Sequence, residues 1–429
     1  MSRQKRVLIL SSLNPTVGSG TVALDFYRAF VEAGYVVDLL TLAPVDGHPE
    51  FMSVYNRQPG KFHHLGFRLW KKLRRPDADW QHCLFYRRET DMPVPIRHIT
   101  RRLKPVYDYV LVVFWQGMLT FKTIGLLYDY LGGPQFLFSC ADYSPVTGGC
   151  HFIGDCKRYY QGCGCCPMLK SSNPDDFTRK NVVYRRQVYE RIKPFVLANT
   201  YMSGFFSKSK ALAEDTRIEF CSILLNLDEF RPFPKKESRN VFGVQSEKFV
   251  IFFGSQWLND SRKGFALLLE SLAGLRKMLS DDEAARVHLL IAGHSIETVK
   301  DRLPFSYTHT GFVPMHMLPQ LYSAADVYLS PSVNDAGPSM VNQSIACGTP
   351  VVAFEMGTAL DVIKNHNTGV CVPLGNVDSF AHGIRQIMRL ATDCPDKYTA
   401  MRAECRRVAE EYHSYSAFVS SFERMMNIQ

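Results

Sequence analysis

Short apolar blocks recur along the chain, separated by turn residues and longer stretches with helical spacing. Residues 7–10 form one such block and are followed by Asn14-Pro15-Thr16-Val17-Gly18-Ser19-Gly20. A helical pattern then runs over 21–33, Gly34 stops it, and 36–42 is the next apolar run. Strand, glycine-bearing turn, helix and strand make a βαβ unit, whose loop is a common site for phosphates or sugars. Blocks at 110–114, 135–139 and 195–199 continue the strand signal, so the first half reads as α/β with a parallel sheet. The segment 226–236 is rich in proline and charge, as linkers are. After it the rhythm restarts: strands at 249–253, 288–292, 325–329 and 350–354, with helices at 264–279 and 341–347. The expected architecture is two Rossmann-like domains facing across a cleft, residues 1–230 and 231–429. A helical stretch over 397–427 would cross back to tie them together.

Composition agrees with a globular chain: 46% hydrophobic and 21% charged residues, without low-complexity tracts. No apolar run approaches the roughly 18 residues of a membrane span, and the block at 7–10 is too short for a signal-peptide core. A cytoplasmic protein with reduced thiols is expected. The net charge of +9 is uneven. Between Lys61 and Lys104 stand twelve Lys or Arg against four Asp or Glu, with Phe67, Trp70 and Leu73 at helical spacing. Such a face suits an anionic membrane surface, here the inner face of the plasma membrane, and equally suits a solvated surface over a core stripe. The basic residues belong to no recognised nucleic-acid module, so no nucleic-acid partner is expected.

Candidate chemistry concentrates in three places. Gly254-Ser255-Gln256 follows an apolar strand, and Arg262-Lys263-Gly264 enters the next helix. Cations beside free helix N–H groups favour a phosphate. Further on, Asp335-Ala336-Gly337-Pro338-Ser339-Met340 leads into a helix, with Pro338 suited to its first turn and Gly337 allowing close backbone approach. In the first half, five of twelve cysteines fall between Cys150 and Cys166. Cys150-x5-Cys156-x6-Cys163-x2-Cys166, in a loop spanning 147–167, has the donors for a structural zinc or iron–sulfur centre; free or disulfide-paired thiols are the other reading.

Several of these runs carry a resemblance. Asn226-Leu227-Asp228 with Phe230 and Pro232 resembles the linker of glycosyltransferase family 4. Leu321 to Asp326, Pro331-Ser332 and Ala346-Cys347-Gly348-Thr349-Pro350-Val351-Val352 resemble that family's donor-binding signature. The resemblance implies a GT-B fold, a nucleoside-diphosphate sugar donor, retention of configuration and no catalytic metal. It places Lys263 on the donor diphosphate, with Arg262 as a candidate replacement for an arginine whose usual place holds Ser255. The family's two glutamates fall on Asp335 and Gln343, and Gly337, Pro338, Ser339 and Met340 line the donor side. Gly18 and Gly20 match the glycine loop that approaches the diphosphate. Asp142, with Pro145-x-Thr147-Gly148-Gly149-Cys150-His151, is similar to a subgroup linked to bacterial surface polysaccharides, in which the matching aspartate polarises the acceptor hydroxyl. The implied function is a retaining hexosyltransferase acting on a glycan or lipid-linked glycan. A catalytically silent sugar-binding partner and another GT-B activity, such as a nucleotide-sugar epimerase, stay as alternatives.

Overall fold

The computed structural model describes residues 4–57, 88–139 and 141–427. The chain divides into two compact units, 1–198 with 202–221, and 199–201 with 222–429. The basic, aromatic stretch over 61–87 lies outside the described residues.

The first unit holds a seven-stranded parallel sheet: β1 (Arg6–Ser11), β2 (Val36–Thr41), β3 (Met52–Ser53), β4 (Tyr109–Phe114), β5 (Gln135–Ser139), β6 (Phe195–Ala198) and β7 (Arg217–Phe220). Its order is β3-β2-β1-β4-β5-β6-β7. Central β1 and β4 are buried almost throughout, as apolar runs covered on both faces must be. The second unit repeats the plan with six strands: β8 (Phe249–Trp257), β9 (Val287–His294), β10 (Ser306–Gly311), β11 (Val327–Ser330), β12 (Val351–Phe354) and β13 (Gly369–Val372), ordered β10-β9-β8-β11-β12-β13. Among the described residues every neighbouring strand pair in both sheets is parallel, with β1 against β4 and β8 against β11. The chain's progression reverses at those pairs, and in open α/β sheets the crevice outside the strands' carboxyl ends there receives ligands.

The division between units falls at Cys221/Ser222, before the proline-rich segment expected to carry it. The reason is packing. Leu225 and Phe230 are buried in the second unit's core, and Leu225 N–H donates to His413 O (2.9 Å). Arg406 donates to the carbonyls of Leu227, Phe230 and Ala346, which binds the segment to the helix Pro395–His413. The helical stretch expected over 397–427 is two helices, Pro395–His413 and Tyr415–Met425. They are separated at Ser414, whose hydroxyl caps the second by accepting from Ala417 N–H. Both belong to the second unit. Asp326 anchors the same region, with Lys235 at 2.6 Å, Arg239 at 2.7 Å and the N–H of Val250 at 2.7 Å on its carboxylate. None of the described helices is long and apolar enough to cross a membrane.

Candidate functional site

In the second unit the candidate donor residues gather at the carboxyl end of β8. Asp260 caps the turn Ser261–Lys263 by accepting from Arg262 N–H (3.1 Å), and its second oxygen takes the Arg262 guanidinium at 2.6 Å. Arg262 is thus committed to Asp260. Lys263 instead reaches across to Asp335, Nζ to Oδ2 at 2.5 Å. Asp335 Oδ1 accepts from Gly337 N–H (3.3 Å), and Arg262 O accepts from Val333 N–H (2.9 Å), so two loops distant in sequence are stitched together. Gly264 permits the approach. It sits at φ +67°, and a Cβ there would lie 1.8 Å from Pro331 O.

Pro338 is the N-cap residue of the helix Ser339–Ala346, one position before the first turn, and no side chain caps that end. Asn199 Nδ2 donates to Ala336 O (2.8 Å), fixing the approach to the helix. Ser339 and Met340 are half-buried in the first turn. Gln343 is buried one turn further on, where its Oε1 accepts from Tyr322 OH (2.9 Å). Its acceptor is therefore already engaged with the protein. Thr349 Oγ donates to Tyr322 O, and Ser344 Oγ donates to Thr349 O, so much of the signature run serves packing.

An aromatic row lies at the ends of β8, β9 and β10. Trp257 and His294 are 4.8 Å apart between ring centroids, and His294 stacks on Phe312 at 5.7 Å. Trp257 is 51% and Phe312 60% exposed, a large apolar area left in water. In the sequence the small turns Ala292-Gly293 and Gly311-Phe312-Val313 mark two of these strand ends as places to frame a nucleobase, but the row itself, drawn from three separate strand ends, has no local signal.

The first unit carries the other candidates. At the end of β1, Gly18 has φ +56° and Gly20 has no room for a side chain, since a Cβ would lie 1.9 Å from Asn14 O. Both belong to the turn that launches the helix Thr21–Glu32. Asp142 follows β5 and is buried. Its Oδ1 accepts from Ser144 N–H (2.7 Å) and its Oδ2 from Gln116 Nε2 (3.2 Å). Burial pushes its carboxyl up to about 6, against the opposing pull of the Ser144 hydrogen bonds and the Arg185 charge.

Residues 142–149 are held by one face of the helix Phe177–Ile192. Asn181 Nδ2 donates to Gly148 O (2.9 Å), Arg185 to Ser144 O and Thr147 O, and Tyr189 OH to Pro145 O (3.2 Å). Arg185 is fully buried and pairs with buried Glu89. Glu89 in turn accepts from Phe121 N–H (2.7 Å) and donates its N–H to Asn181 Oδ1 (2.9 Å). The i, i+4, i+8 spacing of 181, 185 and 189 was the available signal for this wiring. The following loop brings Cys150, Cys156, Cys163 and Cys166 to the border of one pocket, while Cys165 Sγ–H donates to Ser172 O (3.3 Å).

Residues 234–408 match the family described as glycosyl transferases group 1. The D-inositol 3-phosphate glycosyltransferase of Geodermatophilus obscurus is 30% identical over 178 residues, 38% of this chain and 38% of that protein. The chain thus spans about two-fifths of the length of the first curated relatives it matches. Sucrose-phosphate synthase from Thermosynechococcus elongatus superposes with a TM-score of 0.64 at 17% identity, covering 99% of this chain and 98% of that one. The Anabaena protein HepE, in complex with UDP and glucose, gives 0.62 at 14% identity, covering 99% and 100%. The two parallel-sheet α/β units therefore have the GT-B fold, and residues 234–408, within the second unit, are similar to the group 1 glycosyl transferases.

Proposed function

We infer that the protein is a retaining glycosyltransferase that moves a hexose from a nucleoside-diphosphate donor to a hydroxyl of a glycan or lipid-linked glycan. The observation that carries this reading is the Lys263–Asp335 pair, at the end of β8 within the region matched by the family. A diphosphate competes with Asp335 for the ammonium group, and the exchange leaves Asp335 Oδ2 facing the sugar. In that role Asp335 stabilises positive charge as the bond from the anomeric carbon to the diphosphate loosens. The N–H groups at the helix start, from Ser339 onward, add a neutral anion-binding edge. At the end of β1, Gly18 and Gly20 leave a side-chain-free stretch of backbone open to a phosphate-bearing ligand. The UDP and glucose held by HepE make a uridine diphosphate sugar the first donor to test.

Asp142 polarises the acceptor hydroxyl in this reading. A carboxyl titrating at about 6 is ionised at neutral pH yet basic enough to share a proton. Synthesis of a surface polysaccharide at the inner face of the plasma membrane, with the stripe over 61–104 resting on anionic lipid, extends the same proposal. A thermal-shift panel of UDP, GDP, ADP and their sugar conjugates tests the donor, since a ligand held by the folded state alone raises the melting temperature. The reading requires a shift with at least one diphosphate and release of that diphosphate when an acceptor is added. A flat panel at millimolar ligand sinks it.

A further inference from the structure

We propose that Cys150, Cys156, Cys163 and Cys166 bind one soft divalent cation, of the zinc type, as a structural clamp on the loop beside Asp142. This goes beyond the transferase reading and stands independently of it. All four thiols border the same pocket. The fifth thiol of the cluster, Cys165, is turned to Ser172 O, so the fold itself separates four candidate ligands from one bystander.

The loop doubles back on itself: Cys163 N–H donates to Arg158 O (2.9 Å), Cys165 N–H to Asn173 O (2.8 Å) and Cys166 N–H to Asp176 Oδ2 (2.9 Å). Winding the loop this tightly needs unusual backbone: Cys163 (φ 60°) and Cys165 (φ 43°) are left-handed without being glycine. A Cβ on Gly164 would lie 2.1 Å from Pro174 O. Non-glycine residues hold such conformations only where the surroundings demand them.

As they stand, no three His, Cys, Asp or Glu side chains among the described residues are close enough together to chelate an ion. Binding therefore requires the four thiols to turn toward the space that they border. Each bound thiol releases its proton to solvent, and Arg158 on the pocket wall offsets part of the resulting negative charge. The clamp would act on the proposed acceptor side through the backbone. Tyr143 N–H donates to His151 O (3.1 Å), and Thr147 Oγ donates to Cys150 O (2.6 Å), so the cysteine loop and the Asp142 loop move together.

Elemental analysis of the full chain, purified in reductant without added metal or chelator, tests this. Wild type and Cys165→Ser should each carry about one zinc per chain. A Cys163→Ser/Cys166→Ser variant should lose at least about tenfold of it. Should that variant fail to fold, wild type alone decides: titration with an organomercurial should release zinc to a chromogenic chelator as the thiols react. Cobalt substituted for zinc should show the visible bands of tetrahedral thiolate coordination. A folded, reduced wild type without metal, a double variant that keeps it, or an intact mass showing a Cys150–Cys166 disulfide overturns the proposal.

Discussion

Around Asp142 the polar groups are sealed from water and each has several partners, whereas around Lys263 and Asp335 they are partly open and joined by one ion pair. Arg185 and Glu89 are 0% and 3% exposed and bond to backbone on both sides, while Lys263 keeps 32% of its side chain in water. The difference is one of task. A group that must stay in place is over-determined by buried hydrogen bonds, since a buried charge without partners costs several kcal/mol. A group that must exchange a protein partner for a ligand is held by one half-buried ion pair, partly screened by solvent.

The largest effect should come from breaking the sealed side. Arg185→Leu leaves Glu89 as an unpaired buried charge and strips donors from Ser144 O and Thr147 O. Urea unfolding should show a loss of about 3–5 kcal/mol. A loss below 1 kcal/mol would mean that the network is not closed. On the open side, Asp335→Asn should leave stability nearly unchanged. It should lower kcat by roughly a hundredfold or more, about 3 kcal/mol, with diphosphate affinity retained. Unaltered turnover removes Asp335 from the chemistry. Lys263→Ala should weaken diphosphate binding by about 1.5–3 kcal/mol and the free nucleoside far less. Equal losses for both ligands in calorimetry would move the phosphate site elsewhere.

The smallest effect separates position from charge on the sealed side. The carboxyl of Asp142 titrates at about 6 in the fold and at an ordinary 3.8 in the unfolded chain, so ionisation is disfavoured by folding. Above pH 6 the folded state bears that cost. As pH falls from 6 toward 3.8 the native state takes up its proton first, and stability rises through that window. Asp142→Asn should therefore stabilise the protein by about 1–3 kcal/mol at pH 8, with the gain vanishing below pH 4. Melting curves across pH check this. A destabilised variant at pH 8 would show that Ser144 and Arg185 outweigh burial.

Much of the fold was legible because its central strands are buried on both faces. The apolar runs at 7–10, 110–114, 249–253 and 288–292 became β1, β4, β8 and β9 with ends shifted by a few residues. The strands without a sequence signal were β3, β7, β10 and β13, the edges of the two sheets. β7 reads Arg-Ile-Glu-Phe and β10 Ser-Tyr-Thr-His-Thr-Gly, half-exposed runs with no continuous apolar stretch, because an edge needs cover on fewer sides. The helix Phe177–Ile192 escaped for a related reason, since its inward face is polar where it holds the Asp142 loop.

The sequence by itself determined the repeated α/β rhythm and the residue types for phosphate, carboxylate and thiolate chemistry, since these follow from local periodicity and composition. Only the tertiary structure decided the partners. Lys263 faces Asp335 across 72 positions, and Arg185 holds Glu89 across 96. Arg262 is spent on Asp260, and Cys165 is turned away from its four neighbours. Side-chain pairing over such separations depends on where the strands end and which loops their crossovers bring together, which the packing of the whole unit fixes and no local pattern encodes.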